Sequence, residues 1–310
     1  MEQLPEDLIT VLIQTLHQIS NISFIVFANV NKFYYQKVAR HAKQYQIERS
    51  LRSCNIAFEG SFEIFKWFHI RANSLDDSGL TCAYAALNGD LEMLKWLKFK
   101  GYQWDWKTCA YAAKNGHFAV LKWARSKRCN WDSDTCANAA LNGHLAVLKW
   151  ARSKHCKWDS DTCANAAEGG HLEVLKWARE NGCEWDSQTC TSAAGKGHLE
   201  VLKWAHKNGC PWDSETCSGA ADKGYLEVLK WARENGCEWD SDVCTLAAGS
   251  GHLEMLKWAR SNGCQWNSST CYNAVDNGHL EVLKWARSNG CKWDSDTKRL
   301  AQQKWPNESF

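Results

Sequence analysis

The chain has 310 residues, of which 45% are hydrophobic, and a formal net charge of +2. This near-neutral balance argues against a general nucleic-acid or membrane-surface binder, which needs an excess of Lys and Arg. The hydrophobic content argues against a largely disordered chain. No apolar run reaches the length of a membrane span, and the acidic start MEQLPED is unlike a signal peptide. We therefore expect a cytoplasmic or nuclear protein, not secreted, with its 16 cysteines mostly reduced.

The first 50 residues have a pattern of their own. The segment LPEDLITVLIQTL reads as an apolar helix, and ISFIVFANVNKFYYQKVAR is apolar and then basic and aromatic. Together they resemble an F-box, and the matching positions are Leu4, Pro5, Asp7 (shifted by one), Leu8, Ile9, Val30, Asn31, Lys32 and Phe33. The resemblance implies docking on the Skp-type linker of a cullin–RING ubiquitin ligase through Leu4, Pro5, Leu8, Ile9, Val30 and Phe33. The alternative is a helical cap that shields the first repeat of the stack described next.

A unit of 27 residues then recurs along most of the chain. One column of tryptophans runs at this period from Trp96 to Trp285, and a second follows eight residues later, from Trp104 to Trp293. Eight units span residues 81–296, and residues 51–80 hold a degenerate earlier copy. After Thr297 the tail, 297–310, looks like a half-unit that closes the stack. This self-similarity predicts a repeat architecture.

Each unit reads as two short helices. The first begins after Asp-Ser, runs through TCxxAA and stops at glycine, whereas the second starts near His-Leu and ends at Asn-Gly. On a helical wheel of residues 171–181 the apolar side chains cover an arc of roughly 220°. An arc this wide fits a helix with a neighbour on either side. We therefore predict an all-α, helix–turn–helix solenoid.

The repeat resembles the ankyrin repeat. In residues 162–188 the matching positions are Thr162, Ala166, Ala167, Gly170, His171, Leu172, Val174, Gly182 and Asp186. Cys163, Trp177, Cys183 and Trp185 replace the family's Pro, Leu, Ala and Val. The unit is shorter than the ankyrin repeat of about 33 residues, mostly where ankyrins carry a β-hairpin finger. The resemblance implies a non-enzymatic protein-binding module without a cofactor. The sequence motif LKWAR…NGC…WDS also resembles repeats that are common in giant DNA viruses.

Three other columns are interpreted structurally. We expect the tryptophans to form the core, because so many exposed indoles would make an apolar patch that soluble proteins rarely tolerate. The cysteines lack metal-ligand spacing and read as small packing residues, with contacts between the two cysteine columns left open. The histidine column, His117 to His279, is expected to fix the turn between helices. No catalytic set or phosphate-binding loop is present in the sequence, so we expect neither an enzyme nor a metal.

The charge is uneven along the stack. Residues 108–134 and 135–161 carry +3 and +2, whereas residues 162–188 and 216–242 carry −3 each. We expect the basic residues of the first two to cluster at adjacent loops: Lys127, Arg128, Lys154, His155 and Lys157. The alternatives are a recent duplication, a dock for an acidic partner and a nucleic-acid site.

Positions that vary among the repeats point to a binding face. The most varied column lies on the first helix, at Tyr84, Tyr111, Asn138, Asn165, Ser192, Gly219, Leu246 and Asn273. Repeat solenoids present such positions along an extended surface. We expect Tyr84 and Tyr111 to be the best anchors, because aromatic residues contribute disproportionately to the energy of an interface. The alternative is neutral drift. We predict a monomeric adaptor that recruits a protein target to a ubiquitin ligase, or a plain interaction scaffold.

Overall fold

The structure is a computed structural model that describes residues 79–308. The F-box-like segment and the degenerate repeat, except for its last two residues, lie outside the described residues. Residues 79–308 form seventeen helices and no strand. The predicted all-α repeat architecture is therefore confirmed over this range. The chain divides after Trp131 into two compact units, each considered below by itself.

The helices alternate as first and second helices of successive repeats. The first unit contains α1 (Leu80–Leu87), α2 (Leu91–Phe99), α3 (Trp106–Lys114) and α4 (Phe118–Ser126). The second unit contains α5 (Ser133–Leu141), α6 (Leu145–Ser153), α7 (Ser160–Glu168), α8 (Leu172–Glu180), α9 (Ser187–Gly195), α10 (Leu199–Lys207), α11 (Ser214–Lys223), α12 (Leu226–Glu234), α13 (Ser241–Gly249), α14 (Leu253–Ser261), α15 (Ser268–Asp276), α16 (Leu280–Ser288) and α17 (Ser295–Lys304). None of these helices is long and apolar enough to cross a membrane.

The first helix of each repeat is built from small side chains. At the start of α9, the Asp186 carboxylate accepts a hydrogen bond from the backbone N–H of Gln188 at 3.1 Å, as expected of an N-cap. Cys190 and the pair Ala193–Ala194 are fully buried. Because these side chains are short, successive first helices pack directly on one another within each unit.

The second helix packs on the first helix of its own repeat with one apolar stripe. In α10 this stripe is Val201, Leu202 and Ala205, all buried. On the outer side, the Nζ atom of Lys203 donates to Glu200 Oε1 at 2.8 Å. Such exposed ion pairs contribute little to stability, about 0.2–1 kcal/mol, so the buried stripe holds the helix in place.

The tryptophans do not form the core, and our expectation on this point is wrong. All sixteen indoles of the two columns are half-buried. In six cases a second-column indole packs edge-to-face against the first-column indole of the next repeat. The centroids of Trp185 and Trp204, for example, are 5.9 Å apart at 68°. An indole is too large for the narrow space between first and second helices, so the rings fill the outer gap between successive second helices and keep one edge in solvent.

Arginines cover much of the remaining indole surface. The Arg179 guanidinium lies 4.1 Å from the centroid of Trp185, and its Nη1 donates to the Cys183 carbonyl. The same stack recurs in six of the eight repeats, with Lys98 and His206 in the place of arginine in the other two. Cation–π contact of this kind stabilises by about 0.5–1 kcal/mol at exposed sites. It also keeps the indole column from becoming a continuous apolar patch.

Histidine and glycine form the joint between successive repeats. The ring of His198 hydrogen-bonds through Nε2 to the Glu168 carbonyl of the preceding repeat at 3.0 Å, while its backbone N–H closes its own turn by donating to Ala193. The ring lies against Gly170, where a Cβ would be only 2.7 Å from it. The column therefore fixes the inter-helix turn through its backbone and joins neighbouring repeats through its ring.

At the end of the stack, a lysine takes the place of this histidine. The first helix α17 packs on α15, and Lys304 Nζ donates to the carbonyls of Val275 and Asp276 at 3.0 and 2.7 Å. The Asp276 carbonyl is the position that a histidine of a following repeat would bind. The ammonium group of Lys304 therefore supplies the hydrogen bond that a histidine ring supplies at earlier repeat junctions.

The two glycines of one repeat should respond differently to a methyl group. Gly170 and Gly182 both have positive φ, +74° and +80°, but a Cβ at Gly182 would meet nothing within 4 Å. We expect Gly182→Ala to lower the free energy of unfolding by about 1–2 kcal/mol through backbone strain alone. Gly170→Ala should lower it by a further ~1–3 kcal/mol, because the His198 ring must move. Urea unfolding followed by circular dichroism measures both losses of stability. Equal losses would contradict the packing of the His198 ring against Gly170.

The charge state of His171 is coupled to folding. Burial lowers its pKa below the ordinary value of 6.5, and the imidazoles of His144 and His198 lower it further, against a hydrogen bond to the Leu141 carbonyl. At a pH near 6.5 the folded state therefore binds fewer protons than the unfolded state. The stabilising contribution is complete above pH 6.5 and is lost as the pH falls through the folded pKa.

Replacing this histidine by tyrosine tests the coupling. Tyr225 occupies the equivalent position of its own repeat, where its ring lies against Gly197, so His171→Tyr should keep the joint and remove the titration. We expect the free energy of unfolding of the wild type to fall more steeply than that of the variant between about pH 7 and about pH 5. Denaturant titrations at each pH provide the measurement, and parallel curves would rule the coupling out.

Candidate functional site

The most varied position of the repeat lies half-buried on the first helix. In the first unit it holds Tyr84 on α1 and Tyr111 on α3, whose ring centroids are 6.1 Å apart at an angle of 49°. On the same helices Leu87 is half-buried and Lys114 is exposed. Because α1 and α3 pack together, the two tyrosines form one aromatic surface across both helices.

In the second unit the same position carries smaller side chains. These are Asn138, Asn165, Ser192, Gly219, Leu246 and Asn273, all half-buried. The flanking residues Leu141 and Glu168 are also half-buried. The face is therefore lined by short polar groups with a single large apolar residue, and its role in binding stays a prediction.

The surroundings of this position are constant. In α7, Thr162, Cys163 and the pair Ala166–Ala167 have no exposed surface. The varied residue Asn165 lies between them and still reaches the surface. A change at this position therefore alters the surface while the contacts between helices stay in place, which is what a grafted binding face requires.

Four exposed aromatic residues were not among the predicted site residues, and one of them, Tyr225, is 38% exposed at the histidine position of its repeat. Tyr272 on α15 is 45% exposed and directly precedes the varied position Asn273. In the first unit, Phe99 at the end of α2 is 84% exposed and Trp106 at the start of α3 is 36% exposed. The sequence could have identified these residues, because other repeats have small or polar residues at the equivalent positions. Exposed aromatics of this kind are enriched in interfaces.

The predicted basic residues are exposed. Lys127 and Arg128 follow α4 in the first unit, and Lys154, His155 and Lys157 follow α6 in the second. The predicted clustering of all five spans the two units and stays a prediction.

In six repeats the two cysteine columns pair with each other, which is the contact that the sequence left open. The thiols of Cys163 and Cys183 are fully buried and hydrogen-bonded to each other, and Cys183 Sγ donates to the Asp159 carbonyl at 3.3 Å. The hydrogen bond to Cys183 and burial raise the pKa of the Cys163 thiol far above its ordinary range. A thiol of this kind is a poor nucleophile, so Cys163 serves packing. Within residues 79–308 no group of three or more metal-ligating side chains occurs.

The predicted linker-binding residues lie outside the described residues: Leu4, Pro5, Leu8, Ile9, Val30 and Phe33. The F-box resemblance therefore stays a prediction made on the sequence alone.

Comparison with known proteins supports the repeat assignment. The family model for ankyrin repeats (many copies) matches residues 163–206, which confirms the ankyrin resemblance for this part of the chain. Among solved structures, the crystal structure of the human ASB11 ankyrin repeat domain matches with a TM-score of 0.45 and 16% sequence identity. That match covers 57% of this chain and 96% of the other. No curated protein matches the chain.

Proposed function

We propose that this chain is a non-enzymatic interaction protein whose ankyrin-like repeats hold a protein partner on the first-helix face. The observation that carries the proposal is the contrast within one helix between a varied surface position and its constant, fully buried neighbours. Repeat proteins use such a face to bind because each repeat adds contacts without disturbing the next. In this proposal the tyrosines of the first unit are the anchors.

The finer proposal is that the chain recruits its partner to a cullin–RING ubiquitin ligase. It rests on the F-box-like spacing of residues 1–50, above all Leu4-Pro5, Leu8-Ile9 and Phe33. The segment would dock on a Skp-type linker while the repeats hold the target. In the alternative, a plain interaction scaffold, the same segment only shields the first repeat.

Exchange of the tyrosines tests the binding face. Because Asn occupies this position in repeats of the second unit, Tyr84→Asn with Tyr111→Asn should preserve the fold. We expect a partner captured by the wild-type chain to bind the variant about thirtyfold more weakly, since an aromatic anchor is typically worth about 2 kcal/mol or more. The readout is affinity by surface plasmon resonance. Glu200→Ala with Lys203→Ala, which removes an exposed pair on α10, serves as the control and should bind normally; a similar loss in both variants would contradict the assignment.

Co-purification with a Skp-type linker separates the adaptor from the scaffold. If the segment is a working F-box, the full chain retains the linker, and both the 51–310 fragment and Leu8→Asp with Ile9→Asp lose it. This follows because a charged side chain in an apolar interface costs several kcal/mol. Retention by neither the full chain nor the fragment, with helical circular dichroism intact, would leave the scaffold.

A further inference from the structure

Two loops of the stack keep an unfavourable backbone conformation. Where the chain leaves the second helix, six of the eight repeats have a glycine with φ between +80° and +87°. The other two repeats place Arg128 and His155 there, with φ of +63° and +61°. These are the only positive φ values of non-glycine residues among residues 79–308. A side chain in this left-handed region strains the backbone, so the fold alone would favour glycine at both sites.

The strain is not compensated by packing. At the equivalent glycines, including Gly182 and Gly209, a Cβ would meet no atom within 4 Å. Arg128 and His155 are correspondingly exposed. The side chain at this position therefore points into open space and is available to a molecule that approaches from solvent.

The same two repeats also lack an acidic residue at a second position, which makes them more positively charged than the other repeats. Six repeats pair the second-helix lysine with a glutamate three residues earlier. In the two strained repeats this glutamate is Ala119 or Ala146, which leaves Lys122 and Lys149 without that carboxylate. The resulting net charges are +3 for residues 108–134 and +2 for residues 135–161, against −3 for residues 162–188.

Duplication alone does not account for the pattern. The two repeats have diverged on the binding face, at Tyr111 and Asn138, and also at the strained position itself. There one has arginine and the other histidine, so the position has changed without returning to the unstrained glycine. Both replacements are side chains that can carry a positive charge.

We propose that the loop after α4 and the loop after α6 each bind carboxylates of an acidic polypeptide segment. Guanidinium and ammonium groups pair with carboxylates through charge-assisted hydrogen bonds, and both loops offer them on exposed side chains. A nucleic acid fits less well, because its continuous phosphate chain would extend from the loop after α6 onto the acidic repeat 162–188 of the second unit, whereas a short segment with a few carboxylates need not. Both loops lie at the ends of second helices, so each is distinct from the first-helix face of its own unit.

Charge reversal tests the proposal on the full chain. The probe is a fluorescent oligoglutamate peptide, with binding followed by anisotropy at low ionic strength. We expect Lys127→Glu with Lys154→Glu to raise the Kd at least about tenfold, and Lys230→Glu with Lys257→Glu, the same change in net charge on repeats of net charge −3 and +1, to raise it less than about twofold. Equal effects of the two pairs, no binding by the wild type, or tighter binding of an oligothymidylate would overturn the proposal.

Restoring glycine separates binding from folding. Arg128→Gly with His155→Gly should raise the midpoint of thermal unfolding, because the strain is removed, and at the same time weaken oligoglutamate binding. A gain in stability with unchanged affinity would overturn the proposal. Tyr84→Asn with Tyr111→Asn should leave this affinity unchanged, so failure here and failure of the first-helix face can be told apart.

Discussion

A repeat of this length cannot bury its own apolar surface, so the stack depends on the junction between successive repeats. That junction consists of three contacts: small first helices packed together, the histidine ring on the carbonyl of the preceding repeat, and the edge-to-face indoles between second helices. Each contact needs a partner supplied 19 to 30 residues away. The constancy of the sequence at these positions follows from that requirement, because a change on one side leaves the other without its partner.

In this arrangement the contacts that stabilise the stack are separate from the positions that vary at its surface. The residues that join repeats are buried or engaged, whereas the varied first-helix position and the loops after second helices meet solvent. Substitutions at these exposed positions alter the surface with little effect on the stabilising contacts between repeats. The strained loops at Arg128 and His155 are the exception, since they keep a cost that six other repeats avoid.

The sequence predicted the period, the pair of helices per repeat and the Asp caps, because these depend on local chemistry and on spacing. It failed where the outcome depended on the space between repeats. The tryptophans were expected in the core, yet they lie half-buried in the gap between second helices, with arginine over six of the second-column indoles. The cysteine pairs and the histidine joint could not be derived either, because both join positions that only the packed stack brings together. For the binding face, the varied column located the surface position but missed the exposed Phe99 and Tyr272.

One departure from the arginine–indole pattern makes a single repeat junction chemically distinct. Trp212 is stacked on His206 at 3.8 Å and 20°, and the same histidine meets Trp231 of the following repeat edge-on. The arginines at the other junctions carry a delocalised cation on a long side chain, whereas here a short aromatic ring contacts two indoles. Because Trp212 also packs against Trp231, three rings form one aromatic cluster across the boundary between two repeats. In a stack of nearly identical repeats, this cluster gives one boundary an identity of its own.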